Sequence, residues 1–140
     1  MSRIVASREM KIADESDVAL VRQVVRAIAL ERGFDSFATA AVTTATSELT
    51  RNVWIHGGGG RANIVELEER GVYGISVVFV DDGEGILDLE RALIGGHSTK
   101  RSLGLGLSGS KRLVDEFEIE TKVGQGTTVK IIKWARSWRR

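Results

Sequence analysis

The sequence predicts an α+β fold, a two-layer α/β sandwich in which helices cover one face of a sheet. Between residues 14 and 32, apolar residues such as Val18, Val21 and Val25 recur at helical spacing, which indicates an amphipathic helix. Between residues 117 and 123 they alternate with charged residues, which indicates a half-buried strand. Because elements of both kinds follow one another, with antiparallel strands joined by short turns, two packed layers are the expected architecture.

The predicted elements follow the order strand, helix, helix, two strands, helix, two strands. They cover residues 3–12, 14–32, 35–56, 61–69, 75–81, 105–117, 117–123 and 127–134. Asp14 or Ser16 is expected to cap the first helix, and Gly33 to follow its C-terminus. Four consecutive glycines, Gly57–Gly60, end the second helix. The run 75–81 is apolar on both faces, which is typical of a central strand.

Length and composition favour one domain over residues 1–140. Compact domains most often have about 100–150 residues, and 42% of the residues are hydrophobic, which is close to the globular norm. No apolar run approaches the roughly 20 residues of a membrane span. The absence of Cys excludes disulfides, thiolate nucleophiles and zinc–thiolate sites. The expected protein is therefore soluble and cytoplasmic.

The end of the chain is basic. Its last eleven residues contain five Lys or Arg and no acidic residue. A solvated stub over residues 135–140 is the favoured interpretation, and a contact with an acidic partner or nucleic acid is the alternative. Because the formal net charge is only +1, no nucleic-acid partner is expected.

Glu48 and Asn52 form the first candidate constellation. They stand four residues apart on the second predicted helix and therefore share one face. A carboxylate and an amide in this arrangement can divide the work on a metal–nucleotide, with Asn52 offering its carbonyl oxygen to Mg2+ and Glu48 acting as a base. Taken alone, however, this spacing is more often found on a solvated helix face.

Asp81, Gly83 and Gly85 form the second constellation, directly after the most apolar strand. The carboxylate can accept a hydrogen bond from an exocyclic amine such as that of adenine, and the glycines let a flat ring lie against the backbone. Asp-Gly is also a favoured turn pair, so an ordinary acidic turn is the alternative.

Two further glycine motifs follow. The string Gly104–Gly109 leads into the third helix, whose N-terminus is a suitable seat for phosphate. It fits the dinucleotide pattern, but it does not directly follow a strand, so a nicotinamide enzyme is not expected. The chain has no Gly-Lys dipeptide, which excludes a P-loop.

After the turn Gly124–Gly126, the last strand is expected beside the Asp81 strand, so that Thr127 can reach a bound base or support Asp81.

Taken in order, these motifs resemble those of the GHKL ATP-binding superfamily, whose members share the Bergerat fold. The resemblance covers the chain from about Ile12 to Trp134. Two features of the first motif are similar to those of the stand-alone serine/threonine switch kinases that regulate sigma factors. They are the acid at its start, Glu48, and the segment Ile55–Gly57 at the end of its helix. The short lid segment Thr99–Leu107 resembles that of the stressosome kinases more than the longer lids of anti-sigma factors. A sensor histidine kinase is not expected, because no His precedes the first motif.

The resemblance implies a role for each motif residue. Glu48 corresponds to the general base, Asn52 to the Mg2+ ligand and Asp81 to the carboxylate that reads adenine. Either Lys100 or Arg101, both in the lid, is expected to neutralise the γ-phosphate. The ATP-contacting positions that the resemblance implies are Asn52, Asp81, Gly83, Gly85, Lys100, Gly104, Leu105, Gly106 and Thr127.

One departure from the family concerns the segment around the base. The family often has Gly-Pro-Gly and Ile-Pro after its Asp, where this chain has Gly83-Glu84-Gly85 and Ile86-Leu87. The missing prolines leave a looser loop but remove no ligand group.

The activity implied is phosphoryl transfer from Mg-ATP to a Ser or Thr of a small partner protein. The implied partners are a STAS-domain protein as substrate and a phosphatase of the PP2C type, between which the kinase alternates. The alternative is an anti-sigma factor that sequesters a sigma factor under nucleotide control. A scaffold without turnover is a third reading, against which the intact Glu48 and Asn52 argue. Because the anti-sigma branch dimerises, a homodimer is left open.

Overall fold

The computed structural model of the chain describes residues 1–85 and 103–136, without the side chains of residues 103–106. It confirms the predicted α+β architecture. Its elements are β1 (Arg3–Ile12), α1 (Ser16–Glu31), α2 (Ser36–Ile55), β2 (Gly60–Glu69), β3 (Val72–Asp81), α3 (Leu103–Leu113), β4 (Glu116–Lys122) and β5 (Gly126–Trp134).

The strands form one five-stranded sheet in the order β1-β2-β3-β5-β4, and every neighbouring pair is antiparallel. The last strand is thus inserted between β3 and β4, as the sequence predicted. In the register of β3 and β5, Asp81 lies opposite Thr127, and Phe79 lies opposite Val129. The ends of the two strands therefore present their side chains together.

The helices form the second layer, with α2 at its centre. This helix contacts α1 on one side and α3 on the other, and it also packs on the strands β1, β2, β3 and β5. The core between the layers is apolar. Ile75, Val77 and Phe79 of β3 are each at most 1% exposed, as are Val42 and Leu49 of α2. Within residues 1–85 and 103–136, none of the helices has the length and hydropathy that crossing a membrane would require.

Two predicted boundaries were wrong. Strand β3 begins at Val72 rather than at residue 75, because Arg70 (φ 56°) and Gly71 (φ 82°) already complete the turn from β2. Helix α3 runs from Leu103 to Leu113 instead of from residue 105 to 117. It stops early because Phe117 pairs with Ile131 of β5, and this strand pairing takes precedence over a further helical turn.

The predicted N-cap of α1 was also wrong. Neither Asp14 nor Ser16 is the cap, and the capping position is held by Glu15, which makes no side-chain capping bond. Instead Asp14 Oδ1 accepts from Ser16 N at 2.9 Å, and Asp17 Oδ2 accepts from Ala13 N at 2.7 Å. These local bonds close the turn before the helix.

The other end of α1 and the start of α2 agree with the expectation. Gly33 follows α1 with φ +83°, a conformation that favours glycine after a helix. Asp35 caps α2, since its Oδ1 accepts a hydrogen bond from Ala38 N at 2.7 Å.

Arg32, the C-cap residue of α1, connects the end of this helix to the sheet. Its Nε lies 2.8 Å from Glu66 Oε1, and its guanidinium lies 4.5 Å from the centre of the Tyr73 ring.

The buried face of β3 makes a direct prediction for stability. Ile75→Ala removes a side chain that is 0% exposed, so we expect the free energy of unfolding to fall by about 2–5 kcal/mol, from lost burial and the cavity left behind. Urea unfolding at constant slope measures this loss. Ile4→Ala is the matched control because Ile4 is 66% exposed, and it should change the value by less than about 0.5 kcal/mol. Equal losses in the two variants would contradict the assigned core.

Candidate functional site

A pocket lies where the C-terminal half of α2 meets the ends of β3 and β5. One side of it is built by α2, the floor by the two strands, and the far side by the loop after β3 and by α3. Its lining residues are Leu49, Asn52, Val53, His56, Phe79, Asp81, Gly85, Leu107, Thr127 and Val129. Apolar side chains therefore form most of the wall, and a few polar groups converge on it, as is usual for a small-molecule site.

The pocket unites residues from three of the predicted motifs. Asn52 comes from α2, Asp81 and Gly85 from the end of β3 and the loop after it, and Thr127 from β5. These residues are far apart in sequence, and only the packing of α2 on the antiparallel sheet brings them together. The prediction that Thr127 lies beside Asp81 is confirmed by the β3–β5 register.

Two predicted site residues lie beside the pocket and do not line it. Glu48 is exposed, one helical turn before Asn52 on the same face of α2. Gly83 packs behind the wall, where a Cβ on it would lie 2.7 Å from Gly57 Cα. Its backbone N–H donates to Asp81 Oδ1 at 2.8 Å, so its role here is to hold the carboxylate.

The predicted phosphate motif is only partly within the described residues. Gly104–Gly106 lie in the first turn of α3, and Leu107, which follows them, lines the pocket. Because Leu107 lies only one turn after the start of α3, the N-terminus of the helix is near the pocket, and its first turn carries backbone N–H groups without helical partners. Lys100 and Arg101 lie outside the described residues.

The Asp81 carboxylate is half-buried at the rim of the pocket. Burial raises the pKa of this carboxyl above its ordinary value, and hydrogen bonds from the backbone of Gly83 and Thr127 oppose the rise. The neighbouring Asp82 raises the pKa further, whereas His56 lowers it. Since each carboxylate oxygen accepts more than one hydrogen bond, Asp81 keeps acceptor capacity toward the pocket.

Close approach of the backbone makes this corner possible. A Cβ on Gly57 would lie only 2.4 Å from Asp81 Cγ, so no larger residue fits between the end of α2 and the carboxylate. Gly85 has φ +81°, and a Cβ there would lie 2.5 Å from the backbone oxygen of Lys122. Both positions therefore require glycine, because any Cβ would overlap with atoms that are already there.

Asn52 carries the strongest indication of a ligand. Its Nδ2 is buried, and it has no hydrogen-bond partner among the described residues. A buried polar atom without a partner costs about 1–3 kcal/mol, so such an atom in a pocket wall indicates a group that binds there. The oxygen of the same amide is a suitable ligand for a hard cation.

A cation at this site would need ligands beyond those that the described residues supply. Within the described parts of the chain, no group of three or more His, Asp or Glu side chains is placed to hold a metal ion. The donor set therefore fits a metal that arrives with most of its oxygen ligands, as Mg2+ on a phosphate chain does.

Sequence reasoning missed several residues of the site. His56 was read only as part of a family motif, although it stands four residues after Asn52 and shares its helix face, the same signal that paired Glu48 with Asn52. Gly57 was read only as the end of a helix. Thr121 of β4 was also missed, and its Oγ1 lies 2.9 Å from Thr127 Oγ1.

Comparison with known proteins agrees with this geometry. The family model described as the histidine kinase-like ATPase domain matches residues 12–133. The chain is 40% identical over 127 residues to the serine/threonine-protein kinase RsbT of Bacillus subtilis (strain 168), across 91% of this chain and 96% of RsbT. It is 28% identical over 131 residues to an anti-sigma F factor of Thermoanaerobacter sp. (strain X514), across 90% of this chain and 91% of that protein.

A solved structure supports the fold. The crystal structure of the RsbU and RsbW domains of Rv1364c from Mycobacterium tuberculosis is similar with a TM-score of 0.59 and 22% sequence identity. The similarity covers 92% of this chain and 32% of that chain.

The resemblance drawn from the four motifs is thereby confirmed, because the matched segment contains the whole pocket described above. The family uses ATP, as its description states. With a family match over most of its length and a homologue in the kinase RsbT, this chain belongs to the histidine kinase-like ATPase domain family.

Proposed function

We propose that the chain is an ATP-dependent serine/threonine protein kinase of a partner-switching pathway, located in the cytoplasm, whose substrate is a STAS-domain protein. The observation that carries this proposal is the convergence of Asn52, Asp81 and Thr127 on one pocket, with Glu48 one helical turn from Asn52. The 40% identity to RsbT supports the choice of a kinase within the family.

The apolar part of the pocket suits the base of ATP. Leu49, Phe79 and Leu107 offer flat, dry surface, and Asp81 at the rim accepts from the exocyclic amine of adenine. Gly57 and Gly85 allow the chain to pack closely around Asp81 and β4, because a side chain at either position would clash with Asp81 or with the backbone of Lys122.

The phosphates are assigned to the other end of the pocket. Asn52 would supply one oxygen ligand to Mg2+, and phosphate oxygens and water would supply the others. The N–H groups in the first turn of α3, at Gly104 and Gly106, are proposed to donate hydrogen bonds to phosphate oxygens. When bound, Mg2+ neutralises charge on the phosphates and orients them. Lys100 or Arg101 is proposed to add positive charge there.

Glu48 is proposed as the general base. The hydroxyl of the substrate Ser or Thr attacks the γ-phosphorus, and its proton passes to the Glu48 carboxylate. The new bond joins the hydroxyl oxygen to phosphorus, while the bond from phosphorus to the bridging oxygen breaks and ADP leaves. Such a transfer depends mainly on positioning and charge neutralisation, and an exposed carboxylate beside the pocket is accessible to a protein substrate.

A second candidate function is that of an anti-sigma factor, which the 28% identity to anti-sigma F factors supports. Capture experiments distinguish the two functions by the partner that is recovered. A STAS-domain protein, with or without a PP2C-type phosphatase, supports the kinase proposal, and a sigma factor supports the alternative.

The role of Asn52 predicts a Mg2+-dependent stabilisation. ATP with Mg2+ at about 100 times its dissociation constant should stabilise the protein by roughly 2.7 kcal/mol, and ATP without Mg2+ by less. In Asn52→Ala we expect the increment due to Mg2+ to disappear. Thermal melting measures both effects, with Asn63→Ala on the exposed surface of β2 as the control. Absence of any nucleotide-dependent shift in the wild type would sink the proposed function.

The role of Glu48 predicts a separation of binding from chemistry. Glu48→Gln keeps the size and removes the base, so ATP affinity should be retained while phosphate transfer falls roughly 100- to 10,000-fold. Transfer of labelled phosphate to a STAS-domain partner measures the rate. Glu31→Gln changes an exposed carboxylate on α1 and should leave the rate intact. Wild-type transfer by Glu48→Gln would contradict the role.

The role of Asp81 predicts a loss of affinity. Asp81→Asn exchanges one oxygen for a donor and removes the charge, so the dissociation constant for ATP should rise roughly 10- to 100-fold, as expected for a hydrogen bond to a charged group. Calorimetric titration measures it, and Asp82→Asn is the control because this neighbouring carboxylate is exposed. An unchanged affinity in Asp81→Asn would refute the adenine assignment.

A further inference from the structure

We infer that Thr121, a residue behind the pocket wall, fixes the direction of the Thr127 hydroxyl and so makes the pocket selective for adenine over guanine nucleotides. Thr121 does not line the pocket and acts only through Thr127, so it is a positioning residue. The inference rests on the proposed nucleotide function and adds to it the origin of base selectivity.

The position of Thr121 is unusual in its strand. In β4 the residues that point toward the helices include Phe117 and Ile119, and Thr121 continues this inward row with a hydroxyl. It stands directly opposite Thr127 in the β4–β5 register. A polar group at an inward position of an otherwise apolar row indicates a specific partner for its hydroxyl.

The hydroxyl of Thr121 lies within hydrogen-bond distance of two oxygens on β5. Thr121 Oγ1 donates to the backbone oxygen of Gly126 at 3.2 Å, and it lies 2.9 Å from Thr127 Oγ1. A hydroxyl has a single proton. The Gly126 oxygen can only accept, whereas either hydroxyl of the threonine pair can donate. On this inference the Thr121 proton is assigned to Gly126, so that the proton between the two threonines is that of Thr127. The Thr127 oxygen then presents only lone pairs to the pocket.

Thr127 and Asp81 together form a wall of acceptors. They are register partners at the ends of β5 and β3, and both line the pocket. Adenine carries an amine with two N–H donors on the edge that would meet them, whereas guanine carries a carbonyl oxygen at the same position. A guanine base would thus place an acceptor against acceptors and leave buried groups unpaired, which is costly.

The surroundings hold Thr121 in place. A Cβ on Gly85 would lie 3.1 Å from Thr121 Oγ1, so the loop after β3 packs directly on this hydroxyl. The same loop is fastened to the β4–β5 turn by the hydrogen bond from Gly124 N to Glu84 O, at 2.7 Å. Thr121 is therefore held at the junction of the loop, β4 and β5, where a change of its hydroxyl reaches the pocket through Thr127.

The test compares ADP with GDP, so that no turnover interferes. Thr121→Val keeps the shape and the strand preference and removes the hydroxyl, which frees Thr127 to donate. We expect the dissociation constant for ADP to rise roughly three- to tenfold while that for GDP does not rise, so the ADP/GDP preference falls by at least the same factor. Thr121→Ser keeps the hydroxyl and should keep the preference.

The outcomes separate the inference from the proposed function. If the wild type binds ADP and Thr121→Val weakens both nucleotides equally, or neither, the inference is overturned while the proposed function stands. If the wild type binds neither nucleotide, the proposed function fails first. Thr121→Ala provides a second variant without the hydroxyl, should the valine variant not fold, and the same loss of preference is expected from it.

Discussion

The antiparallel pairing of β3 with β5 is the constraint on which the pocket depends. It sets Asp81 opposite Thr127, and two residues further in it sets Phe79 opposite Val129 on the same face. Phe79 is 1% exposed and Val129 is 5% exposed, so this apolar pair fixes the register by its burial. A slip of one residue would turn the apolar pair toward solvent and the polar pair away from α2. The packing of the core therefore also places the chemical groups.

Helix α2 supplies the other half of the site. One of its faces is buried in the core, and the adjoining face carries polar side chains into the pocket wall. Leu49 and Val53 anchor the helix in the core, and Asn52 and His56 follow each other by one turn along the adjoining face. The helix ends where Gly57 allows the Asp81 carboxylate to approach the backbone. The Asp81 side chain thus packs directly against the backbone at the helix end, because residue 57 has no side chain of its own.

The sequence predicts those features that depend on local patterns. The order of elements, the central β3 strand and the position of β5 beside it follow from periodicity and turn signals, and Asn52, Asp81, Gly85 and Thr127 were found as motif residues. The residues that were missed depend on tertiary contacts. Gly57 matters through its distance to Asp81, a residue 24 positions later. Thr121 matters through a strand register, which a linear pattern does not display.

The end of α3 and the N-cap of α1 were predicted wrongly for a similar reason. In both cases an interaction outside the helix competes with the local helix signal and decides where the helix begins or ends. A helix continuing through Phe117 fits the local pattern of α3, but pairing with Ile131 of β5 is stronger. At α1, Asp14 and Ser16 have good capping chemistry, but they bond to each other across 2.5 Å, and Asp17 closes the preceding turn. The roles of the motif residues in nucleotide binding and catalysis remain predictions.

The buried Asn52 amide has a consequence for the life of the protein in the cell. A folded chain that keeps an unsatisfied polar atom in its interior gives up stability that a bound ligand restores. Proteases act on the unfolded fraction, and that fraction grows whenever the ligand is scarce. On the proposed function, a bound nucleotide would therefore protect this protein from proteolysis.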